Sequence, residues 1–403
     1  MFVSSILINL INMEDAHIPP TLTAAQTAAR LGIARQSLYA YVSRGLLPAL
    51  PDPHSRESRY SAEAVERLAE QRAAGRRPKA VARSALNWGA PVLASSIATV
   101  ADGSLYYRGT DAVALARSAG LEAVAALLWQ GPADGPGGGT AEPWAGGVTS
   151  ASDDLLTRFA AATGDDPTAS WQRDPARLAA GCGALVRALA ACLLGTQPDA
   201  APVHAQCAAA WALDTTGADL VRTALVLCAD HELNASSFTA RCIASTGASL
   251  RAAVIGGLAA LSGPRHGGTT ARIEAFWDTL DAAPRPDTVV RQQLSGGQAV
   301  PGFGHTLYPE GDVRARALLA AILPSRPEWG GWIDQIVALT GQYPNVDLGL
   351  VALRRHLGLP AGAAFGLFAL GRSVGWIAHG LEQRGDPHAI RPRAVYTGPV
   401  PVR

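Results

Sequence analysis

Lysine is almost absent from this 403-residue chain: Lys79 stands alone, and the other 33 basic side chains are arginine. Chemistry that needs a primary amine, such as a Schiff base, is therefore nearly excluded from everything after position 79. Cysteine is sparse as well. Cys182, Cys192, Cys207, Cys228 and Cys242 are odd in number and none is spaced as CxxC, which argues against a disulfide framework or a structural zinc site and for a reducing, cytoplasmic compartment. They read as small core residues, and no metal is expected. Long apolar runs are missing too. No stretch of about eighteen residues lacks the charges and turn signals of a soluble helix, so no membrane contact is expected. The short run Ile6-Leu-Ile-Asn-Leu-Ile11 lacks the basic flank and small-residue cleavage site of a secretory signal. Residues 1–18 are expected to be a disordered or adventitious arm, with Met13 an alternative start.

What the chain does hold is apolar mass: 48% of residues are hydrophobic and 17% charged, enough for a large buried core in two or three domains. The net charge of +1 hides an asymmetry. Residues 21–83 carry eleven basic and five acidic side chains, a net of +6, while residues 84–403 carry 23 and 26, a net of −3. Such a split suggests that the small N-terminal part meets a polyanion and the remainder does not.

That basic part has a helix-turn-helix pattern over residues 19–74. Thr21-Leu-Thr23 supplies an N-cap, 24–31 are helix formers stopped by Gly32, and a second helix over 34–44 ends at Gly45. An irregular stretch through Arg59 precedes a third helix over 62–71. The arrangement resembles the winged helix-turn-helix of MerR-type regulators, in which the segment from Leu46 to Tyr60 forms the wing. On that likeness Arg35, Gln36, Ser37 and Tyr39 would face the major groove of DNA, with Arg44, Arg56 and Arg59 on phosphates. A module of this kind also serves as a protein-contact surface, and the arginine surplus is compatible with a solvated face. Residues 75–85, which include Gly75-Arg-Arg-Pro-Lys79, read as a linker.

From Leu86 onward β-branched alternation is rare and alanine-rich helical windows dominate, so the expected class is mainly α. Helices are predicted over 121–129, 153–163, 175–194, 218–234, 236–246, 249–261, 269–281, 311–321, 331–339, 346–357 and 362–384. Ser104-Leu-Tyr-Tyr-Arg108 predicts a short hairpin strand. Residues 131–147, with seven glycines and three prolines, predict a surface loop.

Three histidine-bearing stretches punctuate this domain: Ala229-Asp-His-Glu-Leu-Asn-Ala-Ser236, Gly263-Pro-Arg-His-Gly-Gly268 and Pro301-Gly-Phe-Gly-His-Thr-Leu-Tyr308. Each sets an imidazole beside glycines or a helix end, where it can face a ligand. With Asn345-Val-Asp347, Gly371-Arg372 and Arg391-Pro-Arg-Ala-Val-Tyr396 they resemble, in order and over most of residues 84–403, citrate synthase. The resemblance implies a large and a small helical domain over 86–403, the small one spanning about 268–358, and a homodimer. It implies condensation of an acyl-CoA (acetyl or propionyl) with oxaloacetate, the coenzyme A thioester being substrate and no cofactor being permanently bound.

The same resemblance assigns roles. Asp347 matches the base that removes a proton from the thioester methyl. His266 matches the donor to the thioester oxygen, and His305 the group that polarises and protonates the keto oxygen. His231, Arg314, Arg372 and Arg391 match the dicarboxylate ligands, Arg391 from the other subunit. Helix starts at Asn345 and near Thr269 would favour an anionic Asp347 and a neutral His266. The chain departs from the family where an arginine and a lysine commonly follow the loop histidine. Thr306 and Pro309 stand there, so coenzyme A phosphates lose two cations. The short interval from His305 to Asp347 implies a trimmed small domain. Three readings therefore stand: a condensing enzyme with an accessory helix-turn-helix, a DNA-binding regulator sensing a dicarboxylate or CoA thioester, and a protein-interaction module.

Overall fold

The structure is a computed structural model. It describes residues 21–33, 35–43, 47, 49–51, 58–62, 64–65, 68, 93–131, 152–162, 166–392, 394 and 396–399. The arm 1–18, the linker 75–85, Arg44, Arg56 and the loop 132–147 lie outside them. The chain divides into two compact units, residues 1–94 with 393–403, and Ser95–Pro392.

In the first unit β1 (Thr21–Thr23) leads into α1 (Ala24–Leu31), and the entry is fixed by a reciprocal cap. Gln26 N–H donates to Thr23 Oγ1 at 3.2 Å while Thr23 N–H donates to Gln26 Oε1 at 2.9 Å. Gly32, at φ 62°, ends the helix in the left-handed conformation. α2 (Arg35–Ser43) follows. β2 (Leu50–Pro51) and β3 (Ser58–Ser61) complete an antiparallel sheet of order β1-β3-β2, with Thr21 opposite Ser61 and Leu50 opposite Arg59. Leu31, Leu38, Leu47, Tyr60 and Val65 form its core. The expected third helix is described at Ala62, Ala64, Val65 and Leu68, all helical.

The second unit opens with a meander of β4 (Ala98–Ala101), β5 (Ser104–Tyr107) and β6 (Thr110–Asp111). Asp102 and Gly103 have φ of 49° and 72°, and Arg108 and Gly109 of 44° and 81°, so both two-residue turns twist with their strands. The hairpin strand predicted at 104–108 is present. The rest is helical: α3 (Ala112–Ala116), α4 (Leu121–Trp129), α5 (Ser152–Ala161), α6 (Pro175–Leu194), α7 (Val203–Ala210), α8 (Thr215–Cys228), α9 (Ala235–Ala244), α10 (Leu250–Leu261), α11 (Thr269–Ala282), α12 (Pro286–Ser295), α13 (Val313–Ile322), a 3₁₀ turn (Leu323–Ser325), α14 (Pro327–Thr340), α15 (Val346–His356) and α16 (Ala363–Arg384).

α16 is the axis of the unit, buried nearly throughout. Close approach of α8 and the turn after it dictates two of its glycines. A Cβ at Gly371 would lie 2.6 Å from Leu225 O, and one at Gly375 would lie 2.4 Å from Ala229 O. Backbone cannot yield as a side chain can, so these two positions admit no side chain in this packing. Among the described residues α6 is long and apolar enough to cross a membrane, yet 56% of its most apolar window is buried within the fold, as a core helix requires.

Several predicted boundaries shift for local reasons. The helix predicted over 218–234 ends at Cys228, because Glu232 takes φ 51° and the chain turns back at His231. The one predicted from Gly311 starts at Val313: Gly311 sits at φ 108° and Asp312 caps the helix through Arg314 N–H. α14 begins at Pro327 rather than Gly331, proline being well suited to a first helical turn. Three helices, α3, α7 and α12, were not predicted: α3 and α7 are short, and in α12 only Val290 is buried.

Candidate active site

The turn between α8 and α9 presents the first imidazole. Asn234 caps α9 by accepting from Ser236 N–H and Ser237 N–H at 3.1 Å each, and its Nδ2 donates to His231 O at 3.2 Å. Glu232, strained at positive φ, is pinned by Val100 N–H donating to its Oε1 at 2.6 Å. A left-handed non-glycine residue persists only where its surroundings over-determine it. Thus the hairpin and the cap together fix His231, whose Nε2 lies 3.0 Å from Tyr308 Oη.

The second imidazole sits on the loop before α13. Gly302 and Gly304, at φ 83° and 82°, let that loop pair with the chain entering α15: Gly304 N–H donates to Tyr343 O at 2.8 Å and Asn345 N–H to Gly302 O at 2.9 Å. The loop carrying His305 is thereby stitched to the N-cap of the helix carrying Asp347. Leu307 N–H donates to His305 Nδ1 at 3.1 Å. A nitrogen that accepts is unprotonated, so the neutral His305 holds its proton on Nε2 and can donate from there. The His231 and His305 rings meet edge to face with centroids 5.2 Å apart, and Tyr308 lies 5.1 Å from His305.

His266, at the turn into α11, places Nε2 2.9 Å from Ser236 Oγ, which also accepts from Trp376 Nε1–H at 3.0 Å and donates to Asn234 Oδ1 at 2.7 Å. Its ring meets Phe368 edge to face at 6.0 Å, and the Arg372 guanidinium lies 5.0 Å over that same phenyl ring. Burial, with Arg372 nearby, pushes His266 down to about 4. Burial and Arg314 push His305 down to about 4, and burial holds His231 well below its ordinary range. Near pH 7 all three imidazoles are neutral.

The cations are held differently. Arg372 is buried; its Nε donates to Cys228 O at 2.8 Å, and Nη2 has no hydrogen-bond partner among the described residues. Arg314 is gripped side-on by Asp312, with Nε 2.9 Å from Oδ1 and Nη2 2.7 Å from Oδ2. Asp312 Oδ2 also accepts from Val346 N–H at 3.0 Å. Burial acts to raise the Asp312 carboxyl, but the Arg314 charge and hydrogen bonds outweigh it and hold it below the ordinary range. Arg314 therefore has its side edge occupied and can offer a substrate only its remaining edge. Arg391 is exposed beyond α16 and makes no hydrogen bond or ion pair among the described residues.

Asp347 stands in the first turn of α15, with Oδ1 shielded from solvent and lacking a hydrogen-bond partner among the described residues. The helix start and the charges of Arg314 and Arg372 favour its anion. Burial outweighs them and raises its carboxyl to about 7. His231, His266, His305, Arg314, Arg372 and Asp347 thus share one set of neighbours. Tyr308, Asp312 and Ser236 belong with them and had no role in the sequence reading. An aspartate two residues before a candidate arginine, and a serine opening a helix after a histidine, were the available signals.

In the first unit Arg35, Gln36 and Ser37 are exposed on α2, Tyr39 lies on the same helix, and Arg59 is half-buried on β3. Thr306 and Pro309 are exposed and uncharged.

The family model for the citrate synthase C-terminal domain matches residues 146–393, more than half of the chain. The chain belongs to the citrate synthase family. A helix-turn-helix domain model matches residues 21–73. Citrate synthase of Haloferax volcanii is 40% identical over 186 residues, covering 43% of this chain and 49% of that protein. Citrate synthase 2 of Bacillus subtilis is 35% identical over 185 residues, covering 44% and 50%. A 2-methylcitrate synthase 2 of Corynebacterium glutamicum is 33% identical over 183 residues, covering 43% and 48%. The chain spans about half the length of the curated relatives it matches. Among solved structures, citrate synthase of Thermotoga maritima superposes with TM-score 0.63 at 26% identity, covering 78% of this chain and 96% of that one. The Thermoplasma acidophilum enzyme, solved as a ternary complex with carboxymethyl coenzyme A and oxaloacetate, shares the fold at TM-score 0.62 and 22% identity, covering 77% and 95%.

Proposed function

We propose that this member of the citrate synthase family condenses a short acyl-CoA with oxaloacetate, releasing coenzyme A and citrate or 2-methylcitrate. The observation that carries the proposal is Asp347, a half-buried carboxyl with a shielded, unpartnered Oδ1, raised to about 7 beside neutral imidazoles and two guanidinium groups. A carboxylate is a weak base for a thioester methyl, so it works only if the enolate is stabilised as it forms. In this reading Asp347 takes the proton while His266 donates to the thioester oxygen through Nδ1–H, the Ser236 hydroxyl then turning its hydrogen from Asn234 Oδ1 to His266 Nε2. His305 offers Nε2–H to the keto oxygen of oxaloacetate, and the enolate carbon attacks the polarised carbonyl. Arg314, Arg372 and His231 hold the dicarboxylate, with a homodimer supplying the partner subunit's Arg391. Water then cleaves the condensed thioester. Arginine suits this clamp better than lysine because its planar fork matches a carboxylate. Exposed, uncharged Thr306 and Pro309 imply weak hold on the coenzyme A phosphates.

Thiol release from acetyl-CoA and propionyl-CoA with oxaloacetate tests the reading. Because the base must be ionised, kcat/KM should stay level above about 7 and fall about tenfold per pH unit below it, more steeply once the histidines protonate near 4. No thiol release with any short acyl-CoA would end it.

A second reading applies to the first unit alone. The exposed Arg35, Gln36 and Ser37 on the second helix of a helix-turn-helix domain support DNA binding, with the MerR-like wing carrying phosphate contacts. Affinity for promoter DNA should then drop steeply with salt through counterion release. No retarded band in a shift assay at low ionic strength would retire it.

A further inference from the structure

Behind the clamp lie two buried polar side chains that the proposed chemistry does not use, Asp230 and His379, beside the clamp residue Arg372. Asp230 and His379 are wholly buried and Arg372 is 1% exposed. Arg372, Gly375 and His379 follow one another along one face of α16, and the Asp230 carboxylate is seated against that face. A Cβ at Gly375 would lie 2.4 Å from Asp230 Oδ1, and His379 Nε2 is 3.3 Å from the same oxygen. Neither oxygen of Asp230 has a hydrogen-bond partner among the described residues, and neither does Arg372 Nη2. Asp230, seated one helical turn from Arg372 along that face, therefore acts on the guanidinium through charge rather than through a hydrogen bond, in a buried region where such interactions are weakly screened. The other acidic groups that act on Arg372 compensate less: burial pushes the Tyr107 hydroxyl up and the Cys228 thiol up to about 12, so both stay protonated, and Asp347 is raised to about 7.

We propose that Asp230 is the counter-ion that allows Arg372 to be buried while the dicarboxylate site is empty, with His379 restraining the carboxylate. A buried charge stripped of its partner is strongly destabilising, and the neighbouring Arg314 charge adds repulsion to Arg372 rather than relief. The same carboxylate lowers the positive potential that an incoming dianion meets, so Asp230 trades affinity for stability of the empty protein. The affinity half of this inference rests on the dicarboxylate reading above; the stability half does not.

A double-mutant cycle on the full chain separates the two. Asp230→Asn should lower Tm on the order of 5–10 °C, and adding Arg372→Met should restore most of the loss, because the uncompensated cation is gone. Independent, additive losses would overturn the counter-ion role. If Asp230→Asn fails to fold, folding of the double variant supports the inference and its failure sinks it. Calorimetric titration with oxaloacetate should show Asp230→Asn binding on the order of tenfold more tightly than the native protein; equal or weaker binding would overturn the affinity half. A native protein that takes up no oxaloacetate would defeat the functional reading instead, while the cycle would still decide the counter-ion.

Discussion

Replacing Asp347 with alanine is expected to reduce thiol release from acyl-CoA by about 10²–10⁴-fold, the range over which a positioned general base contributes, while oxaloacetate still binds. Binding survives because Arg314, Arg372 and His231 are positioned by Asp312, by Cys228 O and by the Asn234 turn, none of which involves the Asp347 side chain. Stability should move the opposite way. A carboxyl raised by burial is neutral in the fold at pH values where the unfolded chain has already ionised it. It therefore contributes most below the ordinary value of 3.8, and that contribution is lost as pH climbs through about 7. Asp347→Ala should accordingly be more stable than the native protein at pH 8, by on the order of 2–4 kcal/mol, and show little such gain at pH 4. Denaturant midpoints at the two pH values measure this. A variant less stable at both would mean that the carboxyl is not held in an unfavourable site.

The largest loss of stability should come from Asp312→Ala. Asp312 is 2% exposed and performs several tasks at once: it grips Arg314 side-on, caps α13 and accepts from Val346 N–H at the start of α15. Removing it strands a buried guanidinium and an amide donor, at a cost of about 3–5 kcal/mol. Because the fold holds its carboxyl below the ordinary range, the sign is opposite to that of Asp347: the native protein loses this stabilisation as pH falls below that range. Urea denaturation of Asp312→Ala and of Asp312→Ala with Arg314→Met would check it. The second change should recover part of the loss, since a methionine needs no counter-charge, and a double variant as weak as the sum of its parts would argue that the cap alone mattered.

The legible parts of the molecule are those governed by neighbours in the chain. α1 matches its predicted limits because Thr23 and Gly32 carry the cap chemistry themselves, while α4 and α6 follow from long apolar, helix-forming runs and α15 from its apolar period. The free thiols are buried at Cys182, Cys192, Cys207 and Cys228, as small core residues should be, with Cys242 half-buried. α8 was overextended for the opposite reason. Alanine and leucine would continue a helix through position 234, but a residue at positive φ, pinned by a strand more than a hundred positions earlier, stops it.

Motif order alone was enough to indicate the family, the mainly helical class, the helix-turn-helix and the residue types able to bind a dicarboxylate, because each depends on local spacing and side-chain chemistry. It could not tell that Arg314 has one edge already occupied, or that Asp347 sits near neutrality while Asp312, on a neighbouring helix start, stays ionised. Nor could it tell that Asp230 packs against Gly375 and His379 on the helix face that carries Arg372. Those properties depend on desolvation and on charges brought together from distant positions, and neither exists until the helices pack.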